Sequence, residues 1–505
     1  MTQENHLFSR IRAAIRNEQA PFIEKPSGEV ITYGGLLARS AAYANALVSL
    51  SVKPGDRVAV QVEKSADALM LYLGTVRAGA VFLPLNTAYT PAEIDYFVGD
   101  AAPALLVCDP ARKDALAPIA QKVGARVETL DPEGRGSLSD AADAAATDFD
   151  DVARGADDLA AILYTSGTTG RSKGAMLSHE NLTSNASVLV DYWHYTSDDV
   201  LLHALPIFHT HGLFVATNVT LLAGGSMLFL PKFDLDEILR LMPRATTMMG
   251  VPTFYARLLG TDRFTRELAA HMRLFVSGSA PLSAEVHKAF SARTGHAILE
   301  RYGMTETNMN TSNPYDGDRR PGTVGFPLPG VELRIADPDS GKVLAQGEVG
   351  VIEVKGPNVF KGYWQMPEKT ASEFREGGFF ITGDMGLIDE RGYVSIVGRA
   401  KDLIITGGFN VYPAEVEAAI DEIEGVAESA VIGVPHADFG EGVVAVVAPH
   451  KDVSLDPEAV VAPLAERLAR FKQPKKVYVL PELPRNTMGK IQKNVLRDMY
   501  KDTFA

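Results

Sequence analysis

The residues best suited to chemistry crowd into Tyr164-Thr-Ser-Gly-Thr-Thr-Gly-Arg-Ser-Lys-Gly174. Glycines free backbone N–H groups to turn toward one point, and hydroxyls and two cations add further donors. The stretch therefore predicts a cradle for an anion, most naturally a polyphosphate. It is not a Walker A loop, because no Gly-Lys-Ser/Thr follows Gly167 at the required offset. A flexible Gly/Ser/Thr surface loop would share the composition but would have no need of Lys173.

Four further clusters follow it. In Leu205-Pro-Ile-Phe-His-Thr-His-Gly212 the two histidines stand two apart and would share a face of a strand. Two histidines are too few ligands for zinc, so contact of His209 with a substrate is the better reading. Phe275-Val-Ser-Gly-Ser-Ala-Pro-Leu282 lacks the Gly-x-Ser-x-Gly pattern of serine acyl chemistry. Its small residues would instead let a ligand lie flat against the backbone. In Leu299-Glu-Arg-Tyr-Gly-Met-Thr-Glu-Thr307, Glu306 suits a magnesium ion shared with phosphates, and Tyr302 offers a flat face to a base. Arg301 is a charge near the substrate end, with an ion pair to Glu300 as its alternative role. Gly378-Phe-Phe-Ile-Thr-Gly-Asp384 places an acid at the end of an apolar strand, where ribose hydroxyls could be bound.

These clusters need a scaffold. Leu159 to Leu163 reads as a buried strand leading into the cradle. Earlier, Arg57–Glu63, Val81–Asn86 and Ala104–Asp109 read as strands, alternating with helices Ala66–Ala78 and Pro91–Gly99. Such alternation predicts a largely parallel sheet covered by helices. Asp114–Asp158 gives no clear pattern. Gly212–Pro231 carries no charge over about one membrane span, but Asn218 and Gly224-Gly-Ser226 favour a buried helix over Leu213–Leu222 and a strand over Met227–Leu230. Gly398-Arg-Ala-Lys-Asp-Leu-Ile-Ile-Thr-Gly-Gly-Phe-Asn410 reads as a linker that must turn. Beyond it, helices over Pro413–Glu424 and Pro457–Phe471, strands over Glu428–Val434 and Val443–Ala448, and a short helix to Tyr500 form a small α+β unit. No internal repeat is present.

A chain of 505 residues is too long for one core. Its 46% hydrophobic and 22% charged residues are ordinary for a globular protein. The net charge of -14 argues against nucleic acid as a partner. Cys108 is a lone thiol in an apolar run, expected to be buried and inert. The first residues show no basic-then-apolar signal pattern, so a cytoplasmic location with no membrane partner is expected.

Taken in order, Tyr164–Gly174, Tyr302–Glu306, Thr382–Asp384, Gly398–Gly408 and Pro484–Lys490 resemble the motifs of the adenylate-forming superfamily of acyl-CoA synthetases, adenylation domains and luciferases. The resemblance covers nearly the whole chain, and within it the stretches Leu299–Asn310 and Phe208–Gly212 look most like malonyl-CoA synthetases. It implies an α/β fold: a large N-terminal domain of stacked sheets over 1–398 and a small, mobile α+β domain over 399–505. It also implies two steps. Malonate attacks the α-phosphorus of Mg-ATP to give malonyl-adenylate and diphosphate, and CoA then displaces AMP to give malonyl-CoA.

By the same resemblance, Thr165, Ser166, Gly167, Thr168, Thr169, Gly170 and Lys173 would hold the β- and γ-phosphates, and Glu306 with Thr165 would organise Mg2+. Tyr302, Gly303 and Thr305 would meet the nucleotide, Tyr302 stacking on adenine, with Gly278, Ser279, Ala280 and Pro281 lining the other side. Asp384 and Arg399 would bind ribose. Lys490 would bridge the attacking carboxylate and the α-phosphate. Arg301 would grip the distal carboxylate of malonate, with His209 assisting, Ser279 in contact, and Thr210 and Met304 limiting substituents on the middle carbon. Lys401 matches a hinge about which the small domain rotates, withdrawing Lys490 and bringing Gly407, Gly408 and Phe409 to a pantetheine tunnel. A lysine acetyltransferase acting on Lys490 would remove its charge and block the first step.

Competing readings are a fatty or aryl acyl-CoA ligase, for which Arg301 is awkward, and an adenylation enzyme loading a carrier protein. For the latter, too few residues follow Lys490 for a fused carrier to be expected. A nucleic-acid ligase would want Lys-x-Asp-Gly, which Lys401-Asp-Leu-Ile lacks. An adenylate-binding sensor is the non-enzyme alternative. The basic residues Lys472, Lys475 and Lys476 would meet CoA phosphates or simply face solvent.

Overall fold

The computed structural model describes residues 4–165, 172–406, 409–436, 438–468, 470–486 and 489–504. The alternating pattern of the first 300 residues builds two largely parallel sheets. The first runs Phe326–Pro327, Asn308–Ser312, Leu299–Met304, Leu274–Ser277, Thr247–Gly250, Val200–His203, Ser226–Phe229, Pro21–Glu24, Val30–Thr32 from edge to edge. Its central strands are parallel and its edges are finished by antiparallel ones. The second runs Arg126–Thr129, Leu105–Cys108, Arg57–Gln61, Val81–Pro84, Leu159–Thr165, Lys173–Ser178, and only its last pair is antiparallel. Helix Ala66–Arg77 is apolar on nearly every side because it lies between the layers. The Tyr72 ring meets Phe82 of the second sheet on one side and Phe214 on the other. One continuous buried core joins these layers to an antiparallel sheet of Glu332–Ala336, Gly350–Lys355, Phe380–Ile388 and Val394–Arg399.

That last sheet ends at Arg399. The next strand, Ile404–Thr406, belongs to a separate sheet with Phe409–Val411, Gly440–Pro449, Val426–His436 and Lys476–Val479. This smaller unit packs its own apolar clusters on both faces. The fold is thus a large α/β part with stacked sheets and a smaller C-terminal α+β part.

Several expectations need correction. Pro457–Phe471 is not one helix: an α-helix over Pro457–Val461 gives way to a 3-10 turn over Ala462–Glu466. Pro463 lacks an N–H and its ring crowds the preceding turn, which ends the α-helix. The segment Leu213–Leu222 begins as a π-helix over His211–Thr217 before the α-helix Asn218–Ala223. There the Gly212 carbonyl faces two side chains, His203 Nε2 at 3.0 Å and Thr217 Oγ1 at 3.0 Å. Side chains inserted at a carbonyl widen a helical turn in this way. His209 and His211 therefore sit on a turn and a helix start, not on a strand. The unassigned Asp114–Asp158 contains helices Lys113–Lys122 and Ser137–Asp143 around the edge strand Arg126–Thr129. Cys108 is buried. Among the described residues no helix is long and apolar enough to cross a membrane.

Candidate active site

Ligands of open parallel sheets collect at the carboxyl ends of the strands, and the predicted residues gather at one such end. Leu274–Ser277 leads into Gly278 and Ser279, Leu299–Met304 carries Arg301 and Tyr302, and Val200–His203 leads into His209 and His211.

Arg301 is buried on its strand. Among the described residues its Nε and Nη2 have no hydrogen-bond partner, and it forms no ion pair. Glu300 is not its counter-ion, because consecutive residues of a strand point to opposite faces. Burial lowers the guanidinium to about 9, the direction expected of a cation held without an anion. The neighbouring strand makes room for it: a Cβ at Gly278 would lie 2.2 Å from the Arg301 Cζ. Ser279 follows with φ +72° and shares a 3.2 Å hydrogen bond with His211 Nδ1. The His211 Nε2 and Thr210 Oγ1 are buried and unpartnered among the described residues. Burial, with Lys490 and Arg301 close by, depresses His209 to about 3, and His211 is depressed by burial and Arg301. Both imidazoles are therefore neutral near pH 7, and the guanidinium is the fixed charge of the pocket. Met304 packs at the edge of the core.

The hairpin after Arg301 positions the acid. Strand Leu299–Met304 turns through residues 305–307 into Asn308–Ser312, with Thr305 in the turn. The turn depends on Gly303, whose Cβ would lie 1.8 Å from the Asn308 carbonyl. Glu306 is buried and its pKa is raised by burial, opposed by a hydrogen bond from Tyr363 and by Lys173 and Arg399. Lys173 opens the strand paired to Thr165, and the Thr165 hydroxyl lies 3.5 Å from the Lys173 carbonyl. The cradle residues Ser166, Gly167, Thr168, Thr169 and Gly170 lie outside the described residues, as do Gly407 and Gly408.

Asp384 is not at a strand end. It sits within Phe380–Ile388, opposite Arg399. Its carboxylate accepts from Arg399 Nε at 2.6 Å and from the Tyr302 hydroxyl at 2.6 Å. These three form one network, so the Tyr302 ring is anchored through its hydroxyl. Ala280 and Pro281 are exposed beside it.

The smaller part brings Lys490 to the same place. Lys490 is exposed to solvent. Yet the surrounding protein lowers its pKa, with Arg399, Asp384, Glu306 and Arg301 all within electrostatic reach. Lys401 lies in the 3-10 turn Ala400–Asp402 between the two parts. Phe409 is exposed and stacks on Phe471 at 4.7 Å. Lys472 is engaged by Glu415 at 2.5 Å.

The sequence matches the AMP-binding enzyme family over residues 11–364 and its C-terminal domain over 415–490. The chain belongs to the AMP-binding enzyme family. Among its members, the malonate–CoA ligase of Arabidopsis thaliana is 37% identical over 88% of this chain and 78% of its own length. A feruloyl-CoA synthase of Amycolatopsis is 37% identical over 93% of this chain and 94% of its own. ATP-bound MatB from Rhodopseudomonas palustris superposes with a TM-score of 0.97, at 65% identity over 99% of this chain and 100% of that one. The apo form of that protein gives 0.87.

Sequence reasoning missed three residues that frame this family site. Lys64 is buried and donates to both the carbonyl and Nδ1 of His203, at 2.9 Å each. His203 in turn holds the Gly212 carbonyl just after His211. Tyr363 touches Glu306 and Lys173. No spacing rule flags them, because their roles arise from contacts such as Tyr363 with Glu306, 57 positions apart, and Lys64 with His203, 139 positions apart.

Proposed function

We propose that this chain is an ATP-dependent malonyl-CoA synthetase, joining malonate and CoA with release of AMP and diphosphate. The observation that carries the substrate is Arg301: a buried guanidinium with two donors unpaired among the described residues. A dicarboxylate fits it, one carboxylate held bidentately and the other free to react. The likeness to the plant malonate–CoA ligase and to MatB supports the same reading.

A carboxylate is a poor electrophile, and its attack on a phosphate crowds anions together. Cations and preorganised donors must offset that repulsion. Arg301 orients malonate, with neutral His209 and the His211–Ser279 pair lining the pocket. Thr210 and Met304 limit the middle carbon. Lys490 offers its ammonium where the attacking carboxylate meets the α-phosphate. Lys173 and the residues 165–170 receive the outer phosphates. Tyr302, Gly303, Thr305, Ser279, Ala280 and Pro281 frame the base, while Asp384 and Arg399 face the ribose.

The residues present fit magnesium. Among the described residues no group of three or more His, Cys, Asp or Glu forms a metal cluster. One buried carboxylate beside Lys173 suits an ion that takes most of its ligands from phosphate and water. Glu306 and Thr165 would hold it, and it would supply neutralisation of phosphate charge. For the second step the smaller domain, 399–505, turns about Lys401. Lys490 then leaves, and Gly407, Gly408 and Phe409 line the path of the CoA thiol.

The likeness to a feruloyl-CoA synthase supports an aryl acid as a second reading, against which an unpaired buried guanidinium stands. Measuring acid-dependent AMP release with CoA separates them. Malonate should exceed acetate, octanoate, succinate and ferulate by well over tenfold; preference for a monocarboxylate overturns the substrate and leaves the adenylation chemistry standing.

A further inference from the structure

We infer that Tyr363 is a positioning residue that ties the phosphate-binding lysine to the metal-binding carboxylate. Its hydroxyl donates to Glu306 Oε1 at 3.0 Å. The Lys173 ammonium lies 4.2 Å above the centre of its ring. One buried side chain thus touches both charged groups that would meet the outer phosphates, the acid through its edge and the cation through its face.

The backbone around Tyr363 is strapped to the same two elements. Phe360 N–H donates to the Glu306 carbonyl at 2.7 Å. Met176 N–H and the Gly362 carbonyl, then Lys361 N–H and the Met176 carbonyl, join the segment to the strand that Lys173 opens. Trp364 N–H donates to the Gly174 carbonyl at 2.7 Å, one residue beyond Lys173. The Tyr363 N–H is fixed by Thr370 Oγ1 at 2.9 Å. Residues 360–364 therefore form a brace whose ends fix two backbones and whose central side chain fixes the two charges they carry.

The division of labour within the ring is specific. Glu306 would otherwise be a buried acid free to rotate, and the phenol donates to one of its oxygens. It holds one carboxylate oxygen and leaves the other to a ligand. The ring face shares the ammonium with Glu373, 3.9 Å from Lys173 Nζ, so the cation is held from two sides.

This inference rests on the assignment of Glu306 to magnesium, and the experiment separates the two. Binding of a non-hydrolysable ATP analogue is measured by calorimetry across a magnesium titration, for the full chain and for Tyr363→Phe, Tyr363→Leu and Glu306→Gln. Tyr363→Phe keeps the ring and should raise the magnesium concentration at half-effect by about tenfold. Its magnesium-free analogue binding, and its KM for malonate, should stay within about twofold. Tyr363→Leu should also weaken magnesium-free binding, because the face under Lys173 is lost. An unchanged magnesium requirement in Tyr363→Phe, with a raised one in Glu306→Gln, overturns the role of Tyr363. Magnesium-independent binding by the unaltered chain, or no effect of Glu306→Gln, overturns the metal assignment and this inference with it.

Discussion

Gly278 and Arg301 occupy one space: a Cβ on the glycine would fall 2.2 Å from the guanidinium carbon of the arginine on the adjacent strand. The charge lies flat on backbone, so its position is set by what Gly278 lacks. Gly278→Ala should push the guanidinium out of line and raise the malonate KM by about 10- to 100-fold, well beyond its effect on ATP binding. Steady-state kinetics with each substrate varied in turn check this; equal losses for both substrates would refute the pairing.

Arg301 itself makes the apo protein less stable than it could be. A lowered pKa on a buried cation means that the folded state disfavours the charge. Replacing it by an apolar side chain of similar length removes that penalty. Arg301→Met should therefore raise apo stability by about 1–3 kcal/mol while abolishing malonate turnover. Added malonate should raise the melting temperature of the unaltered chain and leave that of the variant unmoved. A destabilised variant that still turned over malonate would show that Arg301 is a structural residue.

Glu300, on the opposite face of the same strand, predicts a pH dependence. Burial raises its carboxyl to about 8, above the ordinary 4.5. Between those values the folded chain holds a proton that the unfolded chain has lost, so this contribution is full below about pH 4.5 and falls as pH rises to about 8. Glu300→Gln keeps the neutral shape and removes the titration. Melting temperatures of the two proteins should agree near pH 5 and diverge in favour of the variant by about pH 8.5. Parallel curves would mean that Glu300 is ionised in the fold.

Lys490 should matter to one half-reaction only. Lys490→Gln, or acetylation of Lys490, removes the point charge beside the α-phosphate. Malonate-dependent diphosphate release should fall by about 100-fold or more. Conversion of synthetic malonyl-adenylate and CoA to product should persist. Loss of both would assign the lysine to the architecture of the smaller domain.

Much of the scaffold was legible because it depends on local pattern. Strand Leu105–Cys108 and the centre of Arg57–Gln61, Val58-Ala-Val60, are apolar runs, and helix Ala66–Arg77 opens at a capping Ser65 and ends at the turn before Gly79. Where local pattern was interrupted by one residue or one distant contact, the reading failed. Pro463 split a helix that hydrophobic spacing supported. His203, brought beside Gly212 by the sheet, accompanies a π-turn that no propensity encodes. Asp384 looked terminal because glycine precedes it, but Arg399 on the next strand pairs with it and continues the ladder.

The sequence by itself determined the chemistry that this protein can offer: a donor-rich cradle, a magnesium-suited acid, a lysine on a late loop and one arginine out of place. Those are properties of residue type and order, which survive without coordinates. Only the tertiary structure decided how they are used. That Arg301 has no counter-ion among the described residues, that Gly278 leaves it room, that Glu300 faces away, and that Tyr363 joins Glu306 to Lys173 all depend on which strands lie side by side. Burial and unpaired charge are relations between distant segments, and no window of sequence contains both partners.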